Sequence, residues 1–123
     1  MSKAPIYLIS VNKTPQRAAL LVGQLLESLD KKNHGIVHIA NASTLQDLKV
    51  VVDALVYPPE ILICSSQWTA EEQDQAVTIA KASLPDISVI TIPPGLDVRE
   101  GSEGILIFLK GAIQNLEVAD SKK

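Results

Sequence analysis

Aromatic side chains make up only 3% of this 123-residue chain, with one Trp, one Phe and two Tyr. Hydrophobic residues nevertheless reach 46%, so a core of ordinary size must be aliphatic, built from Ile, Val, Leu and Ala. Cysteine occurs once, as Cys64. A single thiol excludes an internal disulfide and any metal site that needs several cysteines. The only histidines are His34 and His38, which leaves few candidates for a catalytic base. Positive charge is not in excess: 11 Lys and Arg stand against 14 Asp and Glu, for a net charge of -3 and a pI near 5.3. With no basic stripe, binding to a phosphate backbone is not expected, and nucleic acid is set aside as a partner. No apolar run approaches the roughly 18 residues of a membrane span. The opening MSKAPIYLISV lacks the apolar region and small-residue cleavage site of a signal peptide. These absences predict a cytoplasmic protein without a membrane partner. The length suits one domain, expected over 1–118, with a mobile polar tail over 119–123.

The chain that remains is a regular alternation. Ile61 to Cys64 is an unbroken apolar run after Tyr57-Pro58-Pro59. A run with no polar alternate has no wet face, so it reads as a central strand of a parallel sheet covered on both sides. Ser65, Ser66, Gln67 and Trp68 follow, and Thr69 with Glu72 has the spacing of a capping box opening a helix to about Leu84. That helix is expected to turn Ala76, Val77, Ala80 and Leu84 inward and Glu71, Glu72, Gln73 and Asp74 to water. Ile6 to Val11 reads as the first strand, with Thr14 as N-cap and Pro15 as the first residue of the next helix. Lys31-Lys32-Asn33-His34-Gly35 should close that helix. Ile36 to Ala40 is a second strand. Ser43 with Gln46 predicts a capping box for a helix that ends at Tyr57-Pro58-Pro59. Ile87 to Ile92 is the fourth strand, followed by a long loop from Pro93 to Gly101 and a last helix capped by Ser102. Gly104 to Leu109 is apolar without interruption, which allows a fifth strand as the alternative. The helical register that continues to Leu116 favours a helix.

A βαβαβαβα order implies parallel strands with right-handed crossovers, here in the order 2-1-3-4, as a small doubly wound three-layer α/β/α sheet. The chain reverses its direction across the sheet between strands 1 and 3. The crevice at that point is where such folds place a ligand. Asn12, Lys13, Thr14, Ser65, Ser66 and Trp68 should line it, with Arg99 arriving from the long loop. Lys13 and Thr14 at a helix N-terminus could hold a small anion, and Trp68 could stack on a ligand or cover the core. No glycine-rich phosphate loop is present in Asn12-Lys13-Thr14-Pro15. Cys64-Ser65-Ser66-Gln67-Trp68 is not a hydrolase elbow. Neither histidine is expected near these serines, so no catalytic residue, metal site or cofactor is assigned.

The topology is similar to that of response-regulator receiver domains, which are flavodoxin-like, or Rossmann-like, folds of this size. That family carries an acidic pair after strand 1 and a phospho-accepting aspartate after strand 3. Here those stretches read Ser10-Val11-Asn12 and Cys64-Ser65-Ser66. The resemblance therefore implies a pseudo-receiver used for contacts, without magnesium-dependent phosphorylation. Pro85 to Asn115 also resembles the strand, Ile-Pro loop and final helix of the F-subunit family of rotary V-type ATPases. Strand 4, ISVITI, lies at a sheet edge with no lysine or internal proline to block pairing. The last helix has more apolar residues than one stripe can hide. Ile87, Val89, Thr91, Leu106, Ile107 and Phe108 are accordingly the candidate interface of a homodimer or protein-partner contact. A small anionic ligand in the crevice is the alternative.

Overall fold

A computed structural model of the chain describes residues 5–29 and 35–121. Four parallel strands, β1 (Ile6–Val11), β2 (Ile36–Ala42), β3 (Ile61–Cys64) and β4 (Ser88–Thr91), form one sheet in the order β2-β1-β3-β4. Four helices alternate with them: α1 (Pro15–Ser28), α2 (Leu45–Ala54), α3 (Ala70–Ser83) and α4 (Leu96–Ser121). The chain thus has the doubly wound α/β architecture of flavodoxin-like folds.

Strand periodicity divides the core. Leu8, Ile61, Ile63, Ile90 and Ile92 point to the face covered by α1 and α4. Ile9, Val11, Leu62 and Cys64 point to the face covered by α2 and α3. β3 is buried at every position, as expected of an unbroken apolar run between two helical layers. Burial pushes the Cys64 thiol up to about 12, with a small further push from the Glu72 carboxylate. It is a core side chain and not a nucleophile.

The helix ends follow their local chemistry. Thr69 and Glu72 form the full capping box of α3. In α2 the cap lies one residue later than the Ser43–Gln46 spacing predicts: Thr44 Oγ1 accepts from the Asp47 N–H at 3.0 Å. Either hydroxyl could serve, and the extension of β2 to Ala42 leaves Ser43 one residue ahead of the Thr44 cap. The basic stretch 31–34, with His34, lies outside the described residues. α1 itself ends at a Leu29 C-cap.

The largest departure is at 93–101. Leu96 to Glu100 is helical, not loop, and α4 begins there. Gly101 alone breaks it, at φ 67 and ψ -168, and Ser102 is already helical, so it is not an N-cap. A left-handed φ suits glycine, which has no Cβ to clash. Gly104 completes this bend, because a Cβ there would collide with Cβ of Glu100. From Gly104 to Leu109 the chain is helix, and there is no fifth strand among the described residues. Of the tail expected over 119–123, residues 119–121 continue α4 and 122–123 lie outside the described residues. Among the described residues no helix is long and apolar enough to cross a membrane.

Gln73 departs from expectation as well. It lies on the inner side of α3 at 5% exposure, not in water. Its Nε2 donates to the backbone carbonyls of Ser65 at 3.1 Å and Ile92 at 2.6 Å, joining the ends of β3 and β4. Gln73→Leu keeps the volume, strips the Ile92 carbonyl of its donor and leaves the Ser65 carbonyl only the long 3.4 Å bond from the Trp68 N–H. Leaving a buried acceptor unpaired costs about 1–3 kcal/mol, so urea denaturation should show a loss of about that size.

Candidate functional site

β1 and β3 lie side by side and send their helices to opposite faces, so the loops after Val11 and Cys64 part at the top of the sheet. The structure brings Asn12, Lys13, Thr14, Ser65 and Trp68 together there, and shows what their polar groups do. Asn12 Oδ1 accepts from the Thr14 N–H at 2.7 Å. This Asx turn sets the entry into α1 and replaces the side-chain cap that Thr14 does not make. Thr14 Oγ1 instead accepts from Gln67 Nε2 at 3.3 Å. Gln67 Oε1 accepts from the Lys13 N–H at 3.1 Å and from the Ser65 hydroxyl at 3.3 Å. Gln67 therefore spans the crevice and joins the two loops. Sequence alone puts it in the loop and gives it no role. Its one signal is its type: it is the long amide between two serines and a tryptophan.

Trp68 is a core lid. It is 5% exposed, its indole N–H donates to the Val11 carbonyl at 2.9 Å, and its ring joins the α2/α3 core. The Lys13 ammonium sits 5.0 Å from the ring centroid, a cation–π distance. Lys13 also draws the Glu72 carboxyl further below its ordinary range, after the larger effect of hydrogen bonding at Thr69. Ser66 turns away from the crevice. Its hydroxyl donates to Asp97 Oδ1 at 2.7 Å, and its carbonyl accepts from the Gly95 N–H at 3.1 Å. Arg99 donates to the Pro94 carbonyl at 3.0 Å within its own turn, and is not bonded to either crevice loop.

What remains between the loops and helices is a cavity of about 20 Å³, with Ser10, Asn12 and Ser65 as its polar lining among apolar side chains of the sheet, α1 and α4. That is room for about one water. No three His, Cys, Asp or Glu among the described residues gather as a metal site would need.

A second polar cluster lies beside this one, and nothing in the sequence pattern points to it. Ser10 is 2% exposed on the α1/α4 face. Its hydroxyl donates to Asn41 Oδ1 at 2.7 Å and contacts His38 Nε2 at 2.8 Å. Asn41 Nδ2 in turn donates to the Asn12 carbonyl at 3.1 Å. Residues three apart on a regular strand face opposite sides. The pairing shifts between Leu8 and Ile9, from His38 to Ala40, so Ile39 is an extra residue in β2. This bulge brings His38 and Asn41 onto one face. With the Ser10 proton on Asn41, the contact is a hydrogen bond when His38 carries a proton on Nε2 and donates it to Ser10. The arrangement is opposite to a serine activated by a histidine base.

Neither a protein-family model nor a curated protein matches this chain.

Of the interface candidates, Ile87 is buried at 3% and lies just before β4. Val89, Thr91, Leu106 and Phe108 are half-buried, and Ile107 is 69% exposed.

Burial lowers the pKa of His38 below its ordinary 6.5, against a smaller upward pull from a hydrogen bond with the Ala40 backbone. The unfolded chain then takes up this proton first as pH falls. The His38 contribution is complete above about 6.5 and is lost as pH drops from there toward the folded value. Denaturation midpoints should fall over that window, and His38→Gln should flatten the slope there. The carboxyls of Asp53 and Glu72 are held below their ordinary 3.8 and 4.5, so they act lower on the scale.

Proposed function

We propose that this chain is a non-catalytic α/β interaction module, related in design to a pseudo-receiver, that works through protein contacts from the cytoplasm. One observation carries the reading. The loops where this architecture would hold a ligand bond to each other through Gln67 and close over space for about one water. Metabolite pockets are about 300–1,000 Å³. The hydroxyls, amides and indole at this point are used to hold the loops. The positions of a receiver's acids are filled by Ser10, Asn12, Ser65 and Ser66, which offer hydrogen bonds and no carboxylate for a magnesium ion or a phosphoryl group.

The second reading is a small anionic ligand at the N-terminus of α1, favoured by Lys13 and Thr14 and by the exposure of both. It requires Gln67 to leave the crevice. A thermal melt separates the two. With nucleotides and phosphorylated metabolites in turn, the contact reading expects no rise in melting temperature. A rise that is abolished by Lys13→Ala and by Ser65→Ala, with both variants folded, would establish the ligand reading in its place.

Acyl-phosphate chemistry has its own check. Incubation with acetyl phosphate and magnesium should leave the mass of the protein unchanged. An acid-labile phosphate adduct would overturn the non-catalytic reading.

A further inference from the structure

The backbone of β4 points its polar groups in two directions. The N–H of Ser88 donates to the Glu60 carbonyl at 2.9 Å and that of Ile92 to the Cys64 carbonyl at 3.0 Å. Alternate residues of a strand aim their N–H and C=O to the same side, so Ser88, Ile90 and Ile92 face β3. Ile87, Val89 and Thr91 face away from it, along the outer edge of the sheet. Ile87 is already satisfied: its N–H donates to the Leu84 carbonyl at 3.1 Å, and its carbonyl accepts from Lys81 Nζ at 3.0 Å. β4 pairs with β3 alone, and among the described residues no side chain or loop bonds the outer groups of Val89 and Thr91. A row of open donors and acceptors is a template for another strand. Neither a charge nor a proline lies within Ser88–Thr91 to block it.

The other edge of the sheet is unsuited to this. β2 carries the Ile39 bulge, and a bulge disrupts regular pairing.

We infer that the outer edge of β4 pairs antiparallel with β4 of a second copy of this chain, about a two-fold axis at Ile90, joining two sheets into one. The inference rests on the contact reading above and names its partner. The register is self-complementary. With Ile90 opposite Ile90, Val89 stands opposite Thr91 of the second copy, and these are the outward-facing residues on both sides. Each such pair exchanges both N–H···O bonds, as a hydrogen-bonded antiparallel pair does. Shifting the pairing by one residue would set outward groups against inward ones, and shifting it by two would set an open residue against the satisfied Ile87 or against Pro93, which has no N–H, so this register alone uses both open residues of each copy. The side chains agree. Val89 and Thr91 are β-branched and meet across the junction on the α2/α3 face, a favourable cross-strand pair. On the other face the two-fold axis brings α4 of both copies to the same side of the joined sheet. Ile107, 69% exposed, belongs to that helix.

Light scattering with the full chain tests it. The wild type should be a dimer at micromolar concentration. Val89→Pro removes one outward donor and leaves every bond to β3 in place, since proline is tolerated where its nitrogen faces away from the ladder. Thr91→Lys places a charge on the edge and removes no backbone donor, so it stands in if the proline variant fails to fold. Either variant, with native circular dichroism, should be monomeric. In the wild type the Val89 and Thr91 amides should be protected from hydrogen exchange, and they should exchange freely in Thr91→Lys. A monomeric wild type, or rapid exchange at both amides in a dimer, would sink the edge pairing. So would a dimer that survives both variants and is lost on Ile107→Asp, which would put the interface on α4. These results leave the contact reading standing. A ligand-induced rise in melting temperature would remove that reading without bearing on the strand.

Discussion

The pairing of β1 with β3 is the constraint on which the rest depends. Their residues from Leu8 and Ile61 onward are buried on both faces by helices of opposite layers. Every position in these stretches except Ser10 is thereby committed to apolar packing. Polar chemistry is confined to two places, the strand ends and the outer edges. Removing a large side chain from such a core typically costs about 2–5 kcal/mol. Single surface ion pairs such as Lys49–Asp53, at 2.7 Å and largely exposed, add little by comparison.

At the strand ends the chain uses its polar groups for closure. Asn12 turns the first loop, Gln67 bridges it to the second, Trp68 anchors to Val11, and Gln73 ties β3 to β4. Apart from the Asn12 turn, these bonds join separate elements, so they hold tertiary structure. At the edges the two outer strands differ. β2 is bulged and lets His38, Ser10 and Asn41 satisfy one another, while β4 is regular and keeps two residues' backbone groups open. The asymmetry is the observation on which the proposed edge pairing rests.

Much of the fold is legible because local rules fix it. Unbroken apolar runs mark the strands, Thr69 with Glu72 marks the start of α3, and Pro15 marks α1. The topology follows from the alternation and the handedness of crossovers. Where the reading fails, local signals are ambiguous. Ser43 and Thr44 are both competent caps, and only the length of β2 chooses between them. Pro93, Pro94 and Gly95 announce a loop, yet the residues from Leu96 to Glu100 are helical and Gly101 alone interrupts them. Gln73 has a polar side chain on a helix whose first turn is acidic, so it reads as solvated until the ends of β3 and β4 are seen to need its amide.

The sequence by itself determined the element order, the aliphatic core, the parallel sheet and the place where the loops part. Each of these rests on periodicity, turn chemistry or composition within a short window. Only the tertiary structure decided what the crevice contains and which polar groups remain open. That a serine at position 10 meets an asparagine at 41 as well as a histidine at 38 depends on one extra residue in β2. That Trp68 is a lid and Gln67 a bridge depends on partners more than 50 residues away. Periodicity says which side of a strand or helix a residue occupies. It does not say which donor meets which acceptor, because that is set by register and loop geometry once the layers have packed.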